Sequence, residues 1–299
     1  MNRRTFLRGS VFSAAAFIGA TGAMGADSQG AEPASLPPAT LKLGSQEGRI
    51  PGRNLREKVE NLAKFGGVGL EVSGGNLPAR VEEIKKAIEG TTVKVSAVCA
   101  ADGPFIIPDE QRRRRNIDNA KRLLVAAGEL GSTGVIMVPA FNNAKDQLVG
   151  VPARELLIDI LRELGEVAAQ NRTFILLEPL NRREAWYLRQ LADAASIARD
   201  ANHPGVGMMG DFYHMYFEET SDMGAFISAG KYLHHVHLGS IRRNLPGQDE
   251  RSFVDGFRGL KMIGYQGYVS LECSVRGDPM VEIPKSFEFL RRQWEEARV

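Results

Sequence analysis

Cysteine is scarce: the chain has two in 299 residues, Cys99 and Cys273. That excludes the disulfide framework of a small secreted domain. Both sit in apolar runs that read as strands, where buried free thiols are expected. An excess of either charge is also missing, since 38 basic residues stand against 36 acidic ones for a net charge of +2. No global field would draw nucleic acid or an anionic membrane surface. No Gly-x-Gly-x-x-Gly follows the first predicted strand and no Walker-type loop appears, so the dinucleotide and phosphate-loop folds lose their main support. With 43% hydrophobic and 25% charged residues, the chain lies in the ordinary globular range and can bury the core of one domain.

The N-terminus has a different character. Asn2-Arg3-Arg4-Thr5-Phe6-Leu7-Arg8 leads into an uncharged, Ala- and Gly-rich stretch from Gly9 to Ala26. Residues 1–26 look like a twin-arginine export signal, which implies a folded passenger and a periplasmic destination. The stretch is too poor in strongly apolar residues for a permanent membrane anchor, which takes about 20 of them. Residues 27–39, rich in Ser, Ala and Pro, read as a linker, and residues 40–299 as the folded domain.

From residue 41 short apolar runs alternate with longer amphipathic stretches. Strands are predicted at Leu41–Ser45, Val68–Val72, Val93–Val98, Gly134–Val138, Thr173–Leu177, Val206–Gly210, Tyr232–His237 and Gly267–Leu271. Between them, apolar residues spaced three and four apart predict helices at Leu55–Phe65, Ala79–Ile88, Glu110–Leu130, Ala153–Ala169, Leu188–Ala201 and Ile283–Arg298. Strict alternation implies a parallel sheet, because parallel neighbours need crossover connections. Eight units in this length predict an α/β fold, a single-domain (β/α)8 TIM barrel, rather than an open sheet.

Barrels of this kind do their chemistry at the C-terminal ends of the strands. The ends of the later strands carry Glu178 in Leu176-Leu177-Glu178-Pro179, Asp211 in Gly210-Asp211-Phe212, His237 in His235-Val236-His237 and Glu272 in Ser270-Leu271-Glu272. An ionised carboxylate next to an apolar strand must be solvated, paired or bound to a metal, since burying it alone is very costly. Four such groups on consecutive strands predict one shared divalent cation. Three carboxylates and an imidazole make a hard, oxygen-rich donor set, which favours Mn2+, with Co2+ or Mg2+ also suited, over structural zinc. No organic cofactor is called for.

Three segments carry a more specific likeness. Glu178-Pro179-Leu180-Asn181-Arg182 with Glu184 beyond it, Asp211-Phe212-Tyr213-His214-Met215, and His237 with Arg243 and Pro246-Gly247 resemble the ketose 3-epimerase branch of the xylose-isomerase-like barrel superfamily. The resemblance covers residues 170–275 in motif detail. It implies metal ligation by Glu178, Asp211, His237 and Glu272, with Glu178 and Glu272 also the acid/base pair, and contacts from Glu184, His214 and Arg243 to a small carbohydrate. It further implies proton movement beside a ketose carbonyl through an enediolate, and it admits a homo-oligomer. The bland alternatives are a helix-capping His214, a surface Arg243, and a Glu184 paired with Arg182 or Arg183. The run Arg112 to Arg115 opens a long polar-faced helix and reads as a solvated face. His203, His234 and His235 are left unassigned, and Glu71 either reaches the site or forms a turn. The aromatic residues that wall the sugar pocket of such epimerases are not found in the first half.

Four other readings use the same barrel. An aldose–ketose isomerase would move the proton between neighbouring carbons, and a lyase on 3-keto-glycosides would enolise and then expel the C1 substituent by β-elimination. A sugar-binding barrel without catalysis should have lost one of the paired glutamates, and both are present. The trinuclear-zinc apurinic-site endonucleases need histidines on early strands, whereas the first of the five histidines here is His203.

Overall fold

The computed structural model describes residues 36–99, 103–143, 145–148 and 152–299. The expected export signal and most of the expected linker lie outside the described residues. Eight parallel strands close on themselves in sequence order, β1 pairing with β8. They are β1 (Lys42–Gln46), β2 (Gly69–Ser73), β3 (Lys94–Cys99), β4 (Gly134–Met137), β5 (Phe174–Leu177), β6 (Val206–Asp211), β7 (Leu233–Leu238) and β8 (Tyr268–Leu271). The chain therefore folds as a single (β/α)8 barrel, with every strand within a residue or two of its predicted place.

The helices are α1 (Leu55–Lys64), α2 (Leu77–Ile88), α3 (Glu110–Glu129), α4 (Ala153–Gln170), α5 (Leu191–Ala201), α6 (Phe212–Glu218), α7 (Asp222–Ala229), α8 (Val254–Met262) and α9 (Pro279–Glu296). Side chains mark several of their starts. Asn54 Oδ1 accepts from the Glu57 amide ahead of α1, and Asp109 Oδ1 from the Arg112 amide ahead of α3. The last helix begins four residues earlier than its apolar spacing suggested, because Asp278 caps it and Pro279 occupies its first turn. Among the described residues no helix is long and apolar enough to cross a membrane.

Successive residues of a strand face opposite sides of the sheet, and this period organises the molecule. In β5 and β7 one parity, Ile175 and Leu177, Val236 and Leu238, joins the large core between sheet and helices. The other parity points into the barrel, where Ala97, Ile136, Leu176 and Met209 form a separate apolar layer. Two residues beyond Leu176 and Met209 come Glu178 and Asp211, so a layer of polar residues necessarily stacks on the apolar plug at the C-terminal mouth. The predicted strand ends deliver their side chains there because they share a parity with the plug.

Beside the mouth, Phe212, Phe226, Phe253 and Phe257 pack edge to face and are fully buried. They fix α6, α7 and α8 against the barrel, and the Phe257 ring also meets Trp294 of α9. Phe257→Ala is expected to destabilise the fold by about 3–5 kcal/mol, read as a fall in the denaturant midpoint at unchanged slope. A loss under about 1 kcal/mol would show that the cluster is not well packed.

Both cysteines are free, as expected, although Cys273 lies just past β8 rather than within it. The Arg112–Arg115 run faces outward in part: Arg112 pairs with Asp146 at 2.7 Å and Arg114 with Asp118 at 2.6 Å.

Candidate metal centre and active site

Glu178, Asp211, His237 and Glu272 converge at the mouth, each offering one donor atom, and these atoms all lie within 4.8 Å of one another. His237 is central. Its Nδ1 lies 3.3 Å from Glu272 Oε2, 3.6 Å from Glu178 Oε1 and 4.0 Å from Asp211 Oδ2. Asp211 has a double attachment, for its Oδ1 accepts from the Tyr213 amide at 2.7 Å and caps α6. That cap aims the remaining oxygen, Oδ2, at the cluster.

Whether these residues suit a cation can be judged from what they lack. Asp211 Oδ2 and His237 Nδ1 are both buried and have no hydrogen-bond partner among the described residues. Buried polar atoms are rarely left so, and two of them converging with two further carboxylates is the arrangement a cation satisfies. Charge gives the same answer. Burial, with the Glu272 carboxylate adding to it, pushes Asp211 well above the ordinary carboxylate range, and burial likewise raises Glu178. Burial would also raise Glu272, but His237 and Arg243 outweigh it and hold Glu272 well below that range. Three carboxylates this close do not all ionise unless positive charge joins them. The group is thus a possible metal site, with the oxygen-rich donor set of a hard divalent ion.

A consequence can be measured. Burial would lower His237, but the carboxylates of Glu71 and Glu272 outweigh it and hold the imidazole well above its ordinary range. A cation taking Nδ1, Asp211 and Glu178 must displace protons that these groups hold more tightly than usual, so metal affinity should fall as pH falls through neutrality. Calorimetric Mn2+ titrations in two buffers of different ionisation enthalpy should report net proton release near pH 7. No release would contradict this charge pattern.

The three expected sugar contacts line the same mouth. Arg243 stretches across Glu272, its Nη2 2.6 Å from Oε2 and its Nη1 3.6 Å from Glu184 Oε1, while its guanidinium lies over the Tyr213 ring at 4.8 Å. Its backbone is left-handed at φ 54, rare for a residue with a side chain. Hydrogen bonds from the Arg243 amide to the Ser240 carbonyl and from the Ser274 amide to the Arg243 carbonyl hold it there. Arg243 is therefore no loose surface charge. Glu184 does not pair with Arg182, which binds Glu218 instead; Glu184 accepts from Asn181 Nδ2 at 3.0 Å.

His214 caps no helix end. Its Nδ1 faces two donors on Asn181, the side-chain amide at 2.8 Å and the backbone N–H at 3.2 Å. Nδ1 must then be the acceptor, which leaves the ring proton on Nε2, 3.6 Å from Asp211 Oδ2. Burial, helped by Arg243, pulls His214 down to about 3, so the ring stays neutral. The result is a neutral N–H donor aimed into the site.

Beneath the four lies a group the sequence left open. Glu71 does reach the site, from below: fully buried, its Oε2 accepts from His235 Nε2 at 2.7 Å and from His237 Nε2 at 2.8 Å. Gln46 Nε2 donates to Glu71 Oε1 and to Glu272 Oε1, both at 2.9 Å. Burial alone would raise Glu71, but the two imidazoles bring it down to about 2. The available sign was parity, for Gln46, Glu71 and His235 stand on the interior side of their strands. His203 and His234 belong elsewhere: His203 pairs with Glu166 at 3.2 Å, and the His234 ring stacks on Phe174 at 3.9 Å.

Comparison with known proteins agrees with this architecture. The family model described as "Xylose isomerase-like TIM barrel" matches residues 59–293. A 3-dehydro-D-guloside 4-epimerase of Escherichia coli K12 is 32% identical over 263 residues, covering 84% of this chain and 99% of that protein. A D-psicose 3-epimerase of Ruminiclostridium cellulolyticum is 29% identical over 233 residues, covering 73% and 78% respectively. Among solved structures, the apo form of a 3-keto-D-glucoside 4-epimerase from E. coli superposes with a TM-score of 0.77 at 31% identity, covering 85% of this chain and all of the other. By fold, extent of match and the kinship of these enzymes, the chain belongs to the xylose isomerase-like TIM barrel family and is an enzyme of its isomerase and epimerase kind.

Proposed function

We propose that the protein is a divalent-metal-dependent sugar epimerase that inverts a carbon beside a ketone, with Glu178 and Glu272 as its acid/base pair. The observation that carries this reading is the convergence of four metal-competent side chains on one point at the barrel mouth, with two of their atoms buried and unpartnered. Held by Glu178, Asp211, His237 and Glu272, a cation such as Mn2+, Co2+ or Mg2+ would supply positive charge where negative charge develops on the substrate oxygen.

The chain's own residues do the rest. One glutamate takes the proton from the carbon next to the carbonyl, and the other returns a proton to the opposite face of the planar enediolate. Which of the two acts as base depends on the configuration of the substrate. His214, locked as an Nε2–H donor, and Arg243 are placed to hold substrate oxygens, and Glu184 to accept from a hydroxyl. Asn181 keeps His214 in the useful tautomer. No organic cofactor is required, because proton removal and return leave the oxidation level unchanged.

A keto-glycoside is the substrate class we put first. The relative matched over 99% of its own length is named for a 3-dehydro-guloside. Next to the four residues, a cavity of about 410 Å3 opens between Gln46, Glu47, Arg49, Ser73 and Cys99. That is more than one pyranose ring fills, and its described walls carry no aromatic side chain.

The test is incubation of the metal-loaded enzyme with ketoses and 3-keto-glycosides in deuterated water, followed by NMR. One deuterium on the inverted carbon beside the ketone, with the aglycone retained, is the expected result. Release of the aglycone would make the enzyme a lyase, and no exchange into any substrate would remove the reading.

Export by the twin-arginine route to the periplasm belongs to the same proposal. Changing Arg3 and Arg4 together to Lys should strand the precursor inside the cell without altering the activity of the folded barrel, as read by fractionation and immunoblot. Normal export of that variant would end the assignment.

A further inference from the structure

We propose that Glu71 is a positioning residue for the metal centre, fixing which nitrogen His237 presents to the cation and linking that choice to Glu272 through Gln46. The inference rests on the cation reading above and adds to it a residue outside the four donors.

Glu71 is an expensive residue to place inside the barrel. A carboxylate buried inside a barrel is destabilising unless fully paired, and an apolar side chain of similar size is often no worse for stability. Glu71 nevertheless sits at 1% exposure, and each of its oxygens is used. Both imidazole Nε2 atoms, at 2.7 and 2.8 Å, share Oε2, and the Gln46 amide takes Oε1 at 2.9 Å. An ionised carboxylate only accepts. Each Nε2 therefore carries a proton, and His237 has only Nδ1 left to offer, the nitrogen that faces Glu178, Asp211 and Glu272.

The two rings meet edge to face at 5.2 Å with an interplanar angle of 87°, so neither can turn without displacing the other. His235 touches no member of the four-residue cluster through a hydrogen bond. Its contribution is the second N–H that anchors Glu71. Gln46 extends the constraint: its amide NH2 has Glu71 on one side and Glu272 Oε1 on the other, acceptors both, so its orientation is dictated from two directions. A metal-bound imidazole whose far N–H rests on a carboxylate is a more basic and better-oriented ligand, and loss of such a partner typically weakens binding 10–100-fold.

Glu71→Gln breaks this logic with little change of shape. The amide can accept from the imidazoles with its oxygen, but its NH2 then faces the Gln46 NH2; if Gln46 flips, its oxygen faces Glu272. Either way one donor or acceptor is mismatched. Glu71→Asp keeps the buried charge but cannot span both imidazoles and Gln46.

The experiment is calorimetric titration of Mn2+ into the metal-stripped full chain, wild type and both variants, with Co2+ absorption spectra of the same proteins and circular dichroism as the check of folding. The expected result is a 10–100-fold weaker Mn2+ affinity for Glu71→Gln, a loss at the lower end of that range for Glu71→Asp, and altered Co2+ ligand-field bands in both. A folded Glu71→Gln protein within about twofold of wild-type affinity and with the wild-type Co2+ spectrum would overturn the proposal. If Glu71→Gln does not fold, the same criterion applied to Glu71→Asp decides it. A wild-type chain that binds no Mn2+ would overturn the cation reading itself, a different outcome from equal binding by all three.

Discussion

Glu178→Gln and Glu272→Gln are each expected to lower turnover by about 10²–10⁴-fold, the usual worth of a positioned acid or base, while Mn2+ binding survives in weakened form. An amide keeps an oxygen for the cation but cannot take a proton from carbon at a useful rate. The two variants should differ in a second respect. Glu272 receives Gln46 on Oε1 and Arg243 on Oε2, so an amide there must turn its NH2 toward one of two donors. Glu272→Gln should therefore also raise KM, through a displaced Arg243, more than Glu178→Gln does. Near wild-type kcat in either variant, measured by NMR on the substrate found in the exchange panel, would remove the two-base reading.

The second large effect is that of the cation. Dialysis against a strong chelator is expected to reduce activity to background, and Mn2+ or Co2+ to restore it. With the ion gone, the main positive charge proposed to offset charge on the substrate oxygen is lost, and Asp211 and Glu178 relax toward their protonated forms. Stability should follow by mass action: at an ion concentration about 100 times the dissociation constant, binding adds about 2.7 kcal/mol. A thermal melt should thus rise on adding Mn2+ and return on chelation. Full activity in metal-free protein would sink the role given to the four residues, and an unchanged melt would show that they do not hold the ion.

Much of this was legible in the chain. All eight strands follow from apolar runs and turn residues, and their parallel order from the helical stretches between them. The three helices that were missed lack the usual marks. The α6 segment is a seven-residue aromatic run that directly continues β6, without room for a period to show. Gly224 in α7, and Gly256 and Gly259 in α8, weaken the helical pattern. The α8 glycines have a tertiary reason. A Cβ on Gly256 would come within 2.4 Å of the Phe212 ring, and one on Gly259 within 2.8 Å of the Met223 carbonyl oxygen. They let α8 lie against α7, a requirement that no local spacing announces.

The site divides along the same line. Glu178, Asp211, His237 and Glu272 could be picked out one strand at a time, because each is a metal-competent residue at the C-terminal end of a predicted strand. The sequence by itself determined the barrel, and it placed at the strand ends a donor set of the kind a hard divalent ion takes. Only the tertiary structure decided what supports them: that Asn181 sets the His214 tautomer, that Arg243 bears on Glu272, and that Glu71 takes the far side of His237 across 166 positions of chain. Alternation along a strand tells which face a residue occupies, since that is a property of its own backbone. Which residue it meets across the barrel depends on how eight strands stagger as they close, and that register is a property of the closed sheet alone.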